Sequence, residues 1–149
     1  MWIFYDKDSF DADDFDNAFH KIYSKNKNKY RNSDGDSSDS KYTRWHACWA
    51  NESFELWAFL HFANLTSALS RDNYISKIDN FLTPKGLCYK KNNPKMFDLL
   101  REHGDILKAV KYAKKLDDEL ANNFKKENPS TGVYLFIEYF KYNLELVSE

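Results

Sequence analysis

One segment of the sequence is apolar on every side when it is drawn as a helix, and this feature limits the folds that the chain can adopt. The segment follows Ser53, a residue type that favours helix N-caps. Its large apolar residues are Phe54, Leu56, Trp57, Phe59, Leu60 and Phe62. A surface helix buries one face, whereas a helix of this kind must be covered on all sides. We therefore predict a buried helix at the centre of the core.

The composition suits one domain with no strong overall charge. The chain has 149 residues, of which 42% are hydrophobic, and its 22 Lys and Arg nearly cancel its 23 Asp and Glu. A surface that binds phosphate must therefore be local. Cys48 and Cys88 lack the spacing of a disulfide framework or a zinc site, which favours a reducing compartment. No segment approaches the roughly 20 apolar residues of a membrane span, so we expect a cytoplasmic protein that does not enter membranes.

Local patterns predict an α/β fold with a small parallel sheet and a predominantly helical C-terminal part. Strands are expected at residues 2–5 and 42–50, which are rich in aromatic and other strand-forming residues. Residues 25–41 are polar and almost free of apolar side chains, so we expect a mobile surface loop there. Helical spacing of apolar residues predicts further helices at residues 12–24, 71–82, 94–103, 105–125 and 133–146.

Two acidic residues follow the first predicted strand directly. Asp6 and Asp8 are separated by Lys7 at the point where the strand ends. Ligands of open parallel sheets bind at the carboxyl ends of the strands, and two carboxylates at such a turn can hold Mg²⁺. The alternative is a solvated turn followed by acidic residues that stabilise the N-terminus of a helix. Spacing alone does not decide between the two interpretations.

Asn51 and Glu55 are the second pair of candidates. If the two predicted strands are parallel, both residues reach the same edge of the sheet as Asp6. They can then support a metal or catalytic site formed by the two aspartates. The alternative makes Asn51 a turn residue and Glu55 an acidic residue in the first turn of a helix.

The segment Asn51-Glu52-Ser53-Phe54-Glu55-Leu56-Trp57, with Leu60-His61-Phe62 after it, resembles the signature of RloB-like proteins. The segment Phe4-Tyr5-Asp6-Lys7-Asp8 is similar to the hydrophobic strand with Asp-x-Asp in that family. The other similar stretches are Leu69-Ser70-Arg71-Asp72-Asn73-Tyr74, Tyr89-Lys90-Lys91, residues 109–116, and Asn128-Pro129-Ser130-Thr131. Together these stretches cover nearly the whole chain.

The resemblance implies a Toprim-like fold and a nuclease of bacterial and phage-related defence systems, in which such proteins often accompany an ATPase. It assigns Asp6 and Asp8 as ligands of Mg²⁺. Two departures from the family pattern stand out. The family usually has proline where this chain has Glu52, and Toprim sites use a glutamate upstream of the Asp-x-Asp strand, where this chain begins with Met1.

These departures lead us to expect one domain over residues 1–149 that lacks the first Toprim strand or strands. The missing strands would leave a free sheet edge, which invites a partner strand or a second copy of the chain. Two hypotheses follow. The first is a Mg²⁺-dependent nuclease subunit or remnant that acts on DNA or RNA, with Asp6, Asp8, Glu55 and Asn51 at its site and the glutamate supplied by absent residues or by another polypeptide. The second is an inactive binding module, or a decoy, that engages a defence ATPase or a full-length relative.

Histidine and lysine residues give weaker signals. His61 lies in the apolar segment, where a hydrogen-bonded core histidine is a more common finding than a ligand. Basic clusters at Lys111, Lys114 and Lys115, and at Lys125 and Lys126, can meet phosphates but are also typical of solvated helix faces.

Overall fold

The computed structural model describes residues 1–8, 11–30, 44–120 and 129–147. Three strands and six α-helices lie in these ranges. In chain order they are β1 (Trp2–Asp6), α1 (Ala12–Tyr30), β2 (His46–Asn51), α2 (Glu55–Leu60), α3 (Arg71–Leu82), α4 (Met96–His103), α5 (Ile106–Leu120), β3 (Ser130–Thr131) and α6 (Val133–Val147). A single 3₁₀ turn, Thr83–Lys85, follows α3. The predicted α/β class is confirmed.

The sheet has the order β1-β2-β3. β1 and β2 are parallel, with Trp2 opposite His46 and Asp6 opposite Ala50, which confirms the predicted parallel pair. The sequence did not predict β3, which is antiparallel to β2, so the sheet is mixed. The Thr131 hydroxyl and the Gly132 N–H both donate to the Trp49 carbonyl, at 3.0 and 2.9 Å, and these bonds hold the two-residue strand in place.

Helices cover both faces of the sheet. Side chains alternate between the faces of a strand, and in β2 Ala47 and Trp49 pack against Phe15 and Ile22 of α1. Cys48 points to the opposite face and joins the main core. The sheet therefore separates a small cluster beneath α1 from the larger core, to which the remaining helices contribute.

The main core is built around α2, as predicted. Every residue of this helix is buried. Tyr74, Ile78 and Leu82 of α3 are fully buried in the same cluster, together with Ala109 and Ala113 of α5. Alanine at these two positions lets α5 lie close to its neighbours, since small side chains allow a close approach of helix backbones.

Several predicted boundaries differ from the structure. α1 continues to Tyr30, so residues 25–30 of the predicted mobile loop are helical, and residues 31–41 lie outside the described part of the chain. β2 begins at His46, later than predicted. α3 has the predicted bounds. α5 is described to Leu120, and the rest of its predicted range, to residue 125, lies outside the described residues.

The prediction that Ser53 caps α2 is wrong. Phe54 precedes the helix, and no side chain caps it there. The Phe54 N–H is instead hydrogen-bonded to the Asp6 carboxylate, which comes from a different element. A tertiary contact has therefore taken the place of a local cap.

Of the helices in the described ranges, none is both long and apolar enough to cross a bilayer.

Candidate functional site

The turn after β1 is fixed by two main-chain hydrogen bonds. The Lys7 N–H donates to the Ala50 carbonyl at 3.0 Å, and the Asp8 N–H donates to the Glu52 carbonyl at 2.8 Å. These bonds continue the pairing of the parallel strands beyond the end of β1. Asp8 has a φ of +48°, in the left-handed region that aspartate tolerates better than most residues. The main chain therefore sets the positions of Asp6 and Asp8.

The Asp6 carboxylate lies between opposing electrostatic influences. Burial raises the pKa of Asp6 above its ordinary value, and the negative charge of Glu55 raises it further. The Phe54 N–H and the cations Arg71 and Lys91 oppose this rise without cancelling it. Asp6 therefore keeps its proton to a higher pH than an ordinary aspartate, and an additional cation close to it would favour the ionised form.

Three carboxylates converge on the guanidinium of Arg71, in the first turn of α3. Arg71 contacts the Asp8 carboxylate directly, and its nitrogens lie 3.9 Å from Asp6 Oδ2 and 3.5 Å from Glu55 Oε2. The side chains of Asp6 and Asp8 are 34% and 37% exposed, whereas that of Glu55 is 5% exposed. When all four groups are ionised, three negative charges and one positive charge leave a net charge of −2 at an edge that solvent and ligands can reach.

Tyr89 holds the buried Glu55 in position. Its hydroxyl donates to Glu55 Oε1 at 3.2 Å, and its own main-chain N–H donates to Asp79 Oδ1 of α3 at 2.6 Å. Burial, followed by the charge of Glu55 and the hydrogen bond to it, raises the pKa of Tyr89. The phenol therefore remains a hydrogen-bond donor at neutral pH, which keeps the Glu55 carboxylate satisfied and oriented.

A comparison with protein families shows to which family the chain belongs. The family of RloB-like proteins matches this chain over residues 1–140. The chain is an RloB-like protein. It has no significant match among curated proteins or among solved structures. The resemblance drawn from the motifs is thereby confirmed at the level of the family.

In this RloB-like protein, three of the four predicted site residues meet at one point. Asp6, Asp8 and Glu55 share Arg71, as the parallel pairing of β1 and β2 led us to expect. Asn51 ends β2 opposite Ser130 and is 1% exposed, and its peptide bond to Glu52 is cis. Asn51 is thus part of the same sheet edge but lies in its interior.

Sequence reasoning assigned no role to Arg71 or Tyr89. A signal for Arg71 does exist, since Ser70 caps α3 through the Asn73 N–H and Arg71 comes directly after it. A cation in the first turn of a helix opposes the helix dipole, which indicates that it has a partner elsewhere in the fold. No comparable local signal identifies Tyr89, because its partner is 34 residues away.

The donor chemistry of the RloB-like site suits Mg²⁺, which prefers carboxylate oxygens and a negative site. The guanidinium, however, takes the place between the carboxylates. Across residues 1–8, 11–30, 44–120 and 129–147, no group of three His, Cys, Asp or Glu side chains is arranged to hold a metal ion. Metal binding by Asp6 and Asp8 therefore requires Arg71, which is 28% exposed, to swing away from them.

Proposed function

We propose that this RloB-like protein is the core of a Mg²⁺-dependent nuclease of the Toprim type. The observation that supports the proposal is the convergence of Asp6, Asp8 and Glu55 on Arg71 at the carboxyl edge of the parallel strands. Carboxylates at this edge are common in sites that bind metal and phosphate. A purely structural ion pair needs one carboxylate, whereas this cluster has three.

Each residue has a distinct role in the proposal. Asp6 and Asp8, the two more exposed carboxylates, would bind Mg²⁺, which supplies activation of water and stabilisation of charge on a phosphate. Glu55, oriented by Tyr89, provides the third carboxylate. Arg71 holds the three carboxylates together before a metal binds, and it becomes available to a phosphate oxygen once it has moved. Asn51 supports this edge from the interior.

Cleavage assays test this assignment. We expect the purified protein to cleave DNA or RNA when Mg²⁺ is present and to lose activity when EDTA is added. Asp6→Asn and Asp8→Asn should each reduce the rate at least about 100-fold, because a lost metal ligand removes the main stabilisation of charge. Asp14→Asn, at an exposed position in the first turn of α1, is the matched control. A protein that binds no divalent metal in calorimetry would rule the proposal out.

The resemblance also supports a cellular setting for this activity. We propose that the protein acts in the cytoplasm, in a bacterial or phage-related defence system, together with an ATPase or a full-length relative. Co-expression with an ATPase of such a defence system, followed by affinity purification, tests whether the two proteins form a complex.

One observation favours a second candidate function, that of a binding module. Among the described strands, β1 has a neighbour on one side only. Phe4 on β1 is 52% exposed, and its ring lies 5.1 Å from that of Phe136, which in turn lies 4.6 Å from Phe140. A free strand edge beside exposed aromatic rings suits an extended segment of a partner protein, which would pair with β1 through main-chain hydrogen bonds.

Two substitutions separate the candidate functions. If the protein acts as a binding module, Phe4→Lys should abolish its biological effect in cells and Asp6→Asn should leave that effect intact. If it acts as a nuclease, Asp6→Asn should abolish the effect. Phe97→Lys on α4, where the side chain is 75% exposed, is the control for adding a charge to an exposed phenylalanine position.

A further inference from the structure

A groove lies between the segment that follows the 3₁₀ turn and helix α4. Its volume is about 500 Å³, and it is lined by Leu99 and by every residue from Gly86 to Pro94 except Tyr89. This volume falls within the roughly 300–1,000 Å³ of sites that enclose one small ligand. The groove is open to solvent, and its volume suits a single nucleotide unit.

The lining of the groove combines cationic and apolar side chains. Lys90 and Lys91 both contribute, and no carboxylate is among the lining residues. Leu87, Pro94 and Leu99 supply apolar surface. In a chain whose total charges nearly cancel, this is a local positive site. Lysine ammonium groups suit phosphates, and apolar side chains suit the face of a sugar or base.

Hydrogen bonds give the segment a defined conformation. The Leu87 N–H donates to the Leu82 carbonyl at 3.2 Å, and the Asn93 N–H donates to the Lys90 carbonyl at 3.1 Å. Between these bonds, Tyr89 is anchored to α3 through Asp79. The groove is therefore formed before a ligand arrives, which lowers the entropic cost of binding.

The same segment connects the groove to the three carboxylates. Tyr89 faces inward to Glu55 at 3.2 Å, while its neighbours Cys88 and Lys90 line the groove. Lys91 also lines the groove and is close enough to Asp6 to influence its ionisation. Lys90 and Lys91 thus place two adjacent cations in the groove, and Lys91 is the one closer in its influence to the carboxylate edge, an arrangement that suits the phosphates of a strand running towards that edge.

We propose that the groove over residues 86–94 binds the sugar-phosphate backbone of a single nucleic-acid strand and leads that strand to the carboxylates around Arg71. The inference deepens the proposed nuclease function and rests on it for the reaction, but strand binding itself needs no metal. Lys90 and Lys91 contact phosphates, and Leu87, Pro94 and Leu99 contact the adjoining sugar or base.

Fluorescence anisotropy with labelled six-nucleotide oligo(dT) and oligo(U), in EDTA, measures this binding. We expect Lys90→Gln and Lys91→Gln each to weaken the affinity about 10-fold. The slope of log Kd against log salt concentration should fall by about 0.7 for each lysine removed, the value for one phosphate contact on a single strand. Lys111→Gln, at an exposed position on α5, is the matched control and should change neither quantity.

Cys88 provides a second and independent readout. It is exposed and lines the groove, whereas Cys48 is buried, so a maleimide should label Cys88 selectively. Saturating oligonucleotide should slow that labelling at least about 5-fold, whereas dTMP at the same concentration should protect it weakly. Melting curves of the lysine variants show whether they remain folded.

The outcomes distinguish a failure of the inference from a failure of the nuclease proposal. Four results would each overturn the strand-binding inference. The first two are unchanged affinity in both lysine variants and unchanged labelling of Cys88 when oligonucleotide is present. The other two are a duplex that binds as tightly as a single strand, and dTMP that protects Cys88 as well as the oligonucleotide does. A protein that binds strands as described, yet cleaves none with Mg²⁺, would contradict the nuclease proposal and leave the groove assignment standing.

Discussion

The guanidinium of Arg71 holds together three carboxylates that would otherwise repel one another. Glu55 depends on it most, because its side chain is 5% exposed and a buried charge without a partner is costly. Asp6 and Asp8 are more exposed and can also be stabilised by solvent. At the scale of single residues, Arg71 is therefore a structural counter-ion and, in the proposed function, the group with which Mg²⁺ competes.

Substitution of Arg71 tests both roles. Arg71→Ala should lower the free energy of unfolding by about 2 kcal/mol, less than the 3–5 kcal/mol lost from fully buried pairs, because the site is open to solvent on one side. Mg²⁺ should then stabilise Arg71→Ala more than the wild type, as read from the shift in Tm. Arg71→Lys retains the charge and serves as the control. Equal Mg²⁺ shifts in all three proteins would contradict competition between the metal and the guanidinium.

The burial of His61 should make the free energy of unfolding depend on pH. It is 5% exposed beside Trp57, and burial lowers its pKa to about 4, opposed in part by Asp105. The expected hydrogen bond is absent, since neither ring nitrogen has a partner among the described residues. The unfolded chain, with a histidine pKa of about 6.5, therefore binds the proton more tightly. The stability that the neutral side chain of His61 contributes is fully present above that pH and is lost as the pH falls towards 4.

Between pH 7.5 and pH 5, His61 alone should lower the free energy of unfolding by about 2 kcal/mol. Urea denaturation of the wild type and of His61→Leu at the two values measures the difference, and the variant should lose correspondingly less stability. His20→Leu, at an exposed position on α1, is the control. The same loss in wild type and His61→Leu would show that folding does not lower the pKa of His61.

Residue patterns in the sequence predicted that Asp6, Asp8 and Glu55 lie together, because the rule behind this prediction is local. A residue at the end of a parallel strand reaches the edge of the sheet wherever the remaining helices lie. The positions of Arg71 and Tyr89 depend on how α3 and the segment after it fold back over that edge, and the sequence around each residue does not encode this. The prediction that His61 is hydrogen-bonded was wrong for the same reason, because its partners also depend on how distant segments pack around it.

Among the secondary-structure elements, those with strong apolar patterns were the most predictable. The burial of α2 followed from its all-round apolar surface, and the bounds of α3 followed from the helical spacing of its apolar residues. The polar end of α1 gave no such signal, because residues 25–30 are helical without an apolar stripe. β3 has two residues and owes its place to bonds with Trp49, so propensity alone could not identify it.

Gly132 joins β3 to α6 and lies so close to β2 that a larger residue at this position should disturb the packing of these elements. A Cβ there would lie 2.7 Å from Cε3 of Trp49, inside the contact distance. Gly132→Ala should therefore cost about 1–3 kcal/mol through repacking of a crowded site. Gly86→Ala is the comparison, since its Cβ meets nothing within 4 Å but its φ is +72°.

Chemical denaturation separates the two glycine effects. Gly86→Ala should cost about 1 kcal/mol, from conformation alone, and Gly86→Asn should cost less, because asparagine tolerates the left-handed region. Trp49→Phe, which shrinks the facing ring, should restore part of the stability of Gly132→Ala but none of that of Gly86→Ala. If Trp49→Phe restores nothing in Gly132→Ala, the indole ring is not the source of the cost.

For the whole molecule, the sheet divides the apolar interior into two clusters of unequal size. The cluster beneath α1 contains Phe15, Ile22, Ala47 and Trp49. The opposite cluster contains α2 and the buried faces of α3 and α5. Regions with fewer buried apolar contacts open at a lower free energy than the global unfolding of the protein. We therefore predict that α1 detaches from the sheet before the main core unfolds.

Native-state hydrogen exchange tests this order of opening. Amides of α1 should exchange at a lower opening free energy than those of α2 and α3. Phe15→Ala removes a large side chain from the smaller cluster, a change that costs about 3–5 kcal/mol in cores, so protection in α1 should collapse while most protection in α2 persists. Ile78→Val in the main core, which costs about 0.5–1.5 kcal/mol, should lower protection in α2 and α3 and leave α1 unchanged. If both substitutions lower protection in all three helices equally, the two clusters unfold as one unit. In that case the attachment of α1 to the sheet is as strong as the packing around α2.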